Sequence, residues 1–535
     1  MKDQRLLLTI TIVCLLLFAF FRNAWISDDA LITFRSLDQL LAGNGPRWNA
    51  YERVQAYTSP AWFFLLAGMR LFIADPYFAA IALSLSCCAM AVYLMHKSAG
   101  PRVNLLLALM ALLASPSVID FTTSGLENPL GYLLATAFFV VAHRFQQQPG
   151  RQQLLRMLLV AGLTPLVRHD FVLVIWPATL LLLVDQRANV VARQLLAYSV
   201  IASLPFALWT IFSTIYYGLP FPNTAYAKLN TGIDQFSLIK TGATYTMVSL
   251  RDDPISAVLL AGAIAIGWQQ RGLQRALTNG MLLHLAYVVY VGGDFMRGRF
   301  LSVDILLAAL MLAHANITPT RTTTASCAGL VLLALVLNPY SALFASGNLT
   351  TATHAYESYI QANTRDSGVI DEKNYYYRIH GLVPRLLGTA ENNFEELCYF
   401  FTRCIRREVL QQCPPNNPPL HCTFVMGPGL GHVGYYAGTN ARIIDAMALT
   451  DPLLAQLPAA NMVQRVGHYQ RNIPRGYAES IANGTNQITD ERIARLYDNI
   501  KLITQSDTLF SAARWRAIVA LNTGKLRRLA HTEYQ

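Results

Sequence analysis

Asp28 and Asp29 are the residues whose types and position most suggest chemistry. They are adjacent carboxylates that follow directly on a greasy N-terminal segment. A carboxylate pair at such a boundary sits at a membrane–water interface. There it reaches both a lipid headgroup and a water-borne acceptor, and it can act as a general base on a hydroxyl. The plainer reading is an N-cap for a following helix. One Asp suffices for a cap, so the pair points to function, with Asp28 favoured as the base. Lys228 in the polar stretch 216–253 suits a phosphate, or a lipid phosphate to which it only snorkels. Gly292-Gly293-Asp294-Phe295-Met296-Arg297-Gly298-Arg299 is a short turn between apolar runs, with Asp294, Arg297 and Arg299 crowded at one point. Arginine forks fit phosphate better than lysine. A phosphate clamp is therefore expected, against the plainer reading of an Asp–Arg pair that stabilises the turn. Arg168-His169-Asp170 divides two apolar runs, and ionisable residues at membrane depth are costly and usually functional.

These groups need elements to hold them. The chain has 535 residues, is 53% hydrophobic and only 14% charged, with a mean hydropathy of +0.33. Soluble domains carry about one quarter charged residues, so the composition predicts a polytopic membrane protein. Apolar segments lie near 6–24, 77–95, 103–115, 129–145, 154–168, 171–184, 195–215, 254–268, 276–291, 300–315 and 326–345. The net charge of +11 is not a nucleic-acid signal here. Basic residues gather in the short loops 96–102, 143–156, 185–193 and 269–275, which reads as cytoplasmic topology. The stretches 25–60, 116–128, 216–253 and 292–299 then face outward. Eleven spans satisfy that alternation, with 61–73 as an interfacial or re-entrant helix of the first loop. Lys2 and Arg5 precede the first apolar stretch and no small-x-small cleavage site follows, so an uncleaved first helix with a cytoplasmic N-terminus is expected.

Two regions result: a membrane region at 1–345, with its first outward loop at 25–76, and an outward α/β domain at 346–535. The second region has strand-like runs at Thr423–Met426 and Arg442–Asp445 and helix-like runs at Glu491–Ile503 and Ala512–Leu521. Cys14, Cys87, Cys88 and Cys327 lie in apolar runs and read as packing residues. Cys398, Cys404, Cys413 and Cys422 cluster in the polar C-terminal region and suggest two disulfides in an oxidising compartment. No C-x-x-C pair supports zinc. Gly429-Leu-Gly431-His-Val-Gly434 formally fits a dinucleotide fingerprint, but no helix is expected at Tyr435-Tyr436, so it reads as a turn.

The motifs together resemble those of membrane GT-C glycosyltransferases. The first loop carries Asp28-Asp29-Ala-Leu-Ile-Thr-Phe-Arg35, Gly43-Asn-Gly45 and Glu52-Arg53-Val-Gln-Ala-Tyr57-Thr-Ser-Pro60. Ser124-Gly-Leu-Glu127-Asn-Pro129, Leu219-Pro-Phe-Pro-Asn223-Thr-Ala-Tyr-Ala-Lys228 and Gly292 to Phe300 follow in order. Ile443-Ile-Asp445 to Pro452 and Gly467-His-Tyr-Gln-Arg471 to Tyr477 continue the match. The chain is most similar to the mycobacterial terminal arabinofuranosyltransferase family and its Gram-negative relatives, which include pilin arabinosyltransferases. Where that family more often has Arg-Pro-Glu, this chain has Arg168-His169-Asp170.

The resemblance implies a GT-C enzyme of the bacterial inner membrane that takes a sugar from a polyprenyl-phosphate donor, most simply polyprenyl-phospho-arabinofuranose. The acceptor is a periplasmic glycan or a pilin-like protein, bound between the first loop and the C-terminal domain. Asp28 and Asp29 take the catalytic position. Arg168, Asn223, Lys228, Asp294, Arg297 and Arg299 take the donor, and Arg35, Glu52, Tyr57, Glu127 and His169 contact acceptor or sugar. No cofactor and no metal is required. Another polyprenyl-phosphate sugar such as mannose is the alternative within the class. A lipid-linked sugar transporter or flippase is the alternative outside it, opposed by the lack of repeat halves and by the large outward domain.

Overall fold

The computed structural model describes residues 2–100, 102–315, 320–343, 367–390, 423–426, 429–460 and 465–528. Cys398, Cys404, Cys413 and Cys422 lie outside the described residues, whereas Cys14, Cys87, Cys88 and Cys327 are free thiols. The chain is mostly helical and divides into two compact units. The first comprises 1–27, 64–206 and 236–391, and the second 28–63, 207–235 and 392–535. This division does not follow the linear boundary expected at 345. The start of the first loop joins the C-terminal region, and the helix Glu372–His380 stays with the apolar helices.

The first unit is a helical bundle. Its helices start where the sequence supplies caps. Asp75 accepts from the Tyr77 amide ahead of Pro76–Ser98, and Asp253 accepts from the Ser256 amide ahead of Pro254–Gln269, each with proline in the first turn. Pro76–Ser98 packs on Asn128–Gln147, and Val172–Asp185 packs on Leu273–Tyr290. The second pair is close: a Cβ added at Gly280 would lie 2.3 Å from the Val174 carbonyl oxygen. Small residues at helix contacts are what membrane bundles use, because lipid does not drive helices together as water does.

Among the described residues, two helices, Pro76–Ser98 and Ala192–Tyr216, are long and apolar enough to cross a membrane, and seven shorter apolar helices accompany them. Ala192–Tyr216 is 6% buried over its apolar window, with Leu196, Leu208 and Ile211 more than half exposed. An outward apolar face on this scale is matched to lipid rather than to water. The helix Pro60–Met69 occupies the expected interfacial segment, and Leu71 and Phe72 just beyond it are exposed.

In the second unit, strands Thr423–Met426 and Arg442–Asp445 pair in parallel, with Thr423 opposite Arg442 and Met426 opposite Asp445. A parallel pair needs a crossover. It is the seven-residue helix Leu430–Tyr436, which corrects the expectation of a turn at Gly429–Gly434. The core below is built by Glu491–Gln505, which buries Ile493, Leu496, Tyr497, Ile500 and Ile503 at helical spacing, together with Leu453, Leu454, Ile518 and Leu521. Two buried arginines tie loops into this unit through carbonyls. Arg471 donates to the carbonyls of Leu457, Tyr469 and Ala227, and Arg514 to those of Ile503, Leu509 and Tyr216.

Candidate active site

Asp28 opens the helix Asp28–Leu41, where a carboxylate is favoured by the helix dipole. Its side chain is 8% exposed. Oδ2 accepts from the Gly431 amide at 3.1 Å and Oδ1 from the His432 amide at 2.7 Å. Two turns on, Arg35 lies on the same face. It donates to the carbonyls of Gly434 and Gly438, both at 2.5 Å, and of Ala441 at 2.8 Å. One helix thus holds both ends of Leu430–Tyr436, acid at its N-terminus and base at its C-terminus. The contact depends on glycine: a Cβ at Gly431 would lie 1.8 Å from the Asp28 carbonyl oxygen, and one at Gly434 2.4 Å from the Trp48 ring. The glycines that mimic a dinucleotide fingerprint serve close helix packing. The amides such a site would offer a phosphate are taken by Asp28.

Burial, with the Asp29 charge alongside, raises the Asp28 carboxyl to about 6, against the two amide bonds and the Arg465 cation, which lower it. Each carboxylate oxygen keeps a second lone pair beyond its amide bond, so Asp28 is anchored without losing its capacity to take a proton. Asp29 beside it is half-buried. Cations gather in the same unit. Lys228 ends the helix Asn223–Leu229 and is exposed. A Cβ at Gly467 would lie 3.2 Å from Lys228 Cε. Burial and the charges of Arg465 and Lys228 hold His468 well below the usual imidazole range. Among the described residues no carboxylate pairs with Lys228. Sequence reasoning missed Arg465, which lies before the Gly467-His468 motif.

Other expected contacts of this unit are occupied. The Asn223 amide nitrogen donates to the carbonyls of Ala448, Leu449 and Asp451 at 2.9, 3.2 and 3.1 Å. Arg35 is spent as described. The Tyr57 hydroxyl meets that of Tyr217 at 2.8 Å, and its ring stacks on Phe63 at 4.0 Å. Glu52 is buried and accepts from Asn49 at 3.0 Å. Burial raises its carboxyl to about 7, and its charge helps raise Asp451. The geometry gives all four an architectural role.

The first unit brings Glu127, Arg168, Asp170, Asp294 and Arg299 into one buried network. Arg168 grips Asp170 with two bonds of 3.0 and 2.5 Å and reaches Glu127 at 3.5 Å. Arg299 reaches Glu127 at 3.3 Å and Asp294 at 3.6 Å. The chain extends through His284, 3.2 Å from Asp170 and 2.7 Å from Asp304. His284 and Asp304 were not among the expected residues; the available signal was an ionisable group inside an apolar run. Arg297 stands in a second cluster, with Asp371 at 3.0 Å, Asp120 at 3.4 Å and the Tyr340 ring at 3.7 Å, while Lys373 meets Asp120 at 2.6 Å. His169 lies edge-on to Phe206, with ring centroids 6.0 Å apart. Each of the three arginines expected to bind phosphate therefore has its charge met by carboxylates. Gly293, at φ +75° with Tyr245 Cβ 2.5 Å from where its own Cβ would stand, permits the tight turn that gathers Asp294 and Arg299. Among the described residues no group of three or more His, Cys, Asp or Glu could hold a metal ion.

Two curated proteins are similar to this chain. Both are named terminal beta-(1->2)-arabinofuranosyltransferase. The one from Mycobacterium tuberculosis is 28% identical over 527 aligned positions, covering 85% of this chain and 82% of the relative. The one from Corynebacterium glutamicum is also 28% identical, covering 83% of this chain and 72% of the relative. No family model matches the chain, and no solved structure does. The resemblance read from the ordered motifs is the one these relatives carry.

Proposed function

We propose that this chain, a glycosyltransferase as its relatives are, transfers D-arabinofuranose from a polyprenyl-phosphate donor to a hydroxyl of a periplasmic glycan or pilin-like protein. The observation that carries the reading is similarity to two arabinofuranosyltransferases across more than four fifths of this chain. The site supplies the chemistry. Asp28, anchored by two amides and raised to about 6, takes the acceptor proton near neutral pH. The acceptor oxygen forms a bond to the anomeric carbon as the bond from that carbon to the phosphate oxygen breaks. Polyprenyl phosphate leaves with the added negative charge, which Lys228 and Arg465 offset. Arg168, Arg297 and Arg299, already matched by carboxylates, order the outward turns and meet the donor only by exchanging those partners. Asp29 tunes Asp28.

The enzyme lies in the inner membrane as an eleven-span protein, its N-terminus cytoplasmic and 346–535 periplasmic. The test is transfer of radiolabel from synthetic polyprenyl-phospho-arabinofuranose by purified protein to a panel of acceptors, with Asp28→Asn as control. Label in the acceptor, lost in the variant, supports the assignment. Transfer from polyprenyl-phospho-mannose but not from the arabinose donor would replace the sugar and keep the enzyme class. Movement of lipid across a bilayer with no new glycosidic bond would point to a transporter. The anomeric configuration of the product separates one displacement, which inverts, from two, which retain.

A further inference from the structure

The first unit has a second polar feature that the transfer chemistry does not use. Helix ends meet around a recess of about 460 Å³, within the range of small-molecule pockets. Its cations are Lys97, Arg144 and Arg271, joined by His143 and His314. No acidic residue lines it, and the loops 96–102, 143–156 and 269–275 contain no Asp or Glu at all. Arg144 and Arg271 are exposed and, among the described residues, pair with no carboxylate.

The deepest polar group is His314, 7% exposed. Its Nδ1 is 2.9 Å from the Leu310 carbonyl, so that nitrogen carries the hydrogen. Its Nε2 is buried and, among the described residues, makes no hydrogen bond of good geometry, the Ser98 backbone being a weaker partner of the ring. The His143 ring stands edge-on to it at 5.2 Å. The rim is built rather than loose: Gln146 Oε1 accepts from the Leu273 amide at 2.7 Å, capping the helix Leu273–Tyr290.

We propose that this recess binds a phosphate ester. Positive loops alone are explained by membrane topology. Topology asks for cations on flexible loops. It does not ask for a cavity between helix ends with a histidine buried at its wall. A phosphate ester satisfies each feature. Its oxygens accept from the Arg144 and Arg271 forks and from the Lys97 ammonium. Two sources present that chemistry: the headgroup of an anionic phospholipid, for which basic pockets between membrane helices are suited, and a free phosphate ester.

The experiment uses the full chain purified in neutral detergent. Thermal stability is followed while phosphatidylglycerol, phosphatidylcholine or glycerol phosphate is titrated in. Wild type and the double variant Arg144→Gln/Arg271→Gln are compared after matching their Tm without additive. A saturable rise in Tm with an anion and not with phosphatidylcholine is expected, weakened tenfold or more in the double variant and reduced by about 0.5 M salt. A response to glycerol phosphate identifies a free phosphate ester as sufficient; a response to phosphatidylglycerol alone identifies the lipid headgroup. A second variant, Lys97→Gln at the third lining cation, is expected to weaken the anion response without changing the response to phosphatidylcholine. Equal responses of wild type and the double variant, or equal responses to phosphatidylglycerol and phosphatidylcholine, would overturn the proposal. The readout requires no sugar transfer, so it stands or falls apart from the transferase reading.

Discussion

At the scale of single residues, the two aspartates differ in environment, Asp28 buried and Asp29 half-buried. With Asp28 as base, turnover rises as its carboxyl ionises, so the acid limb of the pH–rate profile falls at about pH 6. Asp28→Asn is expected to cut turnover on the order of a hundredfold or more. Asp29→Asn removes the neighbouring negative charge that raises Asp28, so the acid limb moves to lower pH; a dead Asp29→Asn enzyme would hand the base role to Asp29. Lys228→Ala, at an exposed cation, is expected to raise KM for the lipid donor about tenfold with little change in Tm.

Glu52 makes a separate prediction. Its carboxyl rises from its ordinary value of 4.5 to about 7 in the fold, so the folded state holds that proton more tightly than the unfolded chain. Its contribution is fully present below pH 4.5 and is lost as pH climbs through about 7. Glu52→Gln, which mimics the protonated acid, should flatten that part of the stability curve, read as Tm against pH. A Tm falling equally in variant and wild type across the window would assign the effect elsewhere.

At the scale of elements, the strands Thr423–Met426 and Arg442–Asp445 were legible because short β-branched runs bounded by turn residues have few other uses. The helix Glu491–Gln505 was legible as a helix-like run, and the structure adds its Asp490 cap. The helix Leu430–Tyr436 was not. Two glycines and two tyrosines give it little intrinsic propensity, and seven residues are too few to stand alone. It exists because Asp28 and Arg35, some four hundred residues earlier, bond its ends. Substituting Gly431→Ala forces a methyl against the Asp28 carbonyl oxygen and should cost about 1–3 kcal/mol or more, with loss of transfer. Gly438→Ala, where nothing lies within 4 Å but φ is +76°, should cost about 1 kcal/mol and leave transfer intact. Tm and activity on the same preparations separate the two.

Asp28 drew attention in the sequence because acidic pairs are rare at the end of an apolar run. Asp28 does stand at a helix terminus, as the plainer reading had it, but the amides it bonds belong to another helix. His284 and Asp304 escaped because composition averages them into apolar runs. The occupied arginines escaped because sequence shows a cation without showing which carboxylates, drawn from distant segments, already neutralise it.

At the scale of the whole molecule, the charge alternation predicts which loops lie on which side of the membrane. Single cysteines placed at Gln148 and Gln270 should react with a membrane-impermeant thiol reagent only from the cytoplasmic side, and one at Gly484 only from the other. Reaction of Gln148 from outside would break the eleven-span scheme. The compact units cut across the linear order of the chain, which local pattern cannot reveal, since the pairing of the first loop with the C-terminal region rests on contacts of long sequence separation.

The bond from His432 to Asp28 spans 404 residues, and that span is also an interval of time during synthesis. The loop bearing both aspartates leaves the ribosome long before the helix that anchors Asp28 exists. Until then Asp28 stays in water with an ordinary carboxylate. If Asp28 is the base, as proposed, a half-made chain therefore has no raised carboxyl with which to begin transfer, and a chain truncated before residue 430 never acquires one. Assembly of the last segment is the event that seats Asp28 in the first.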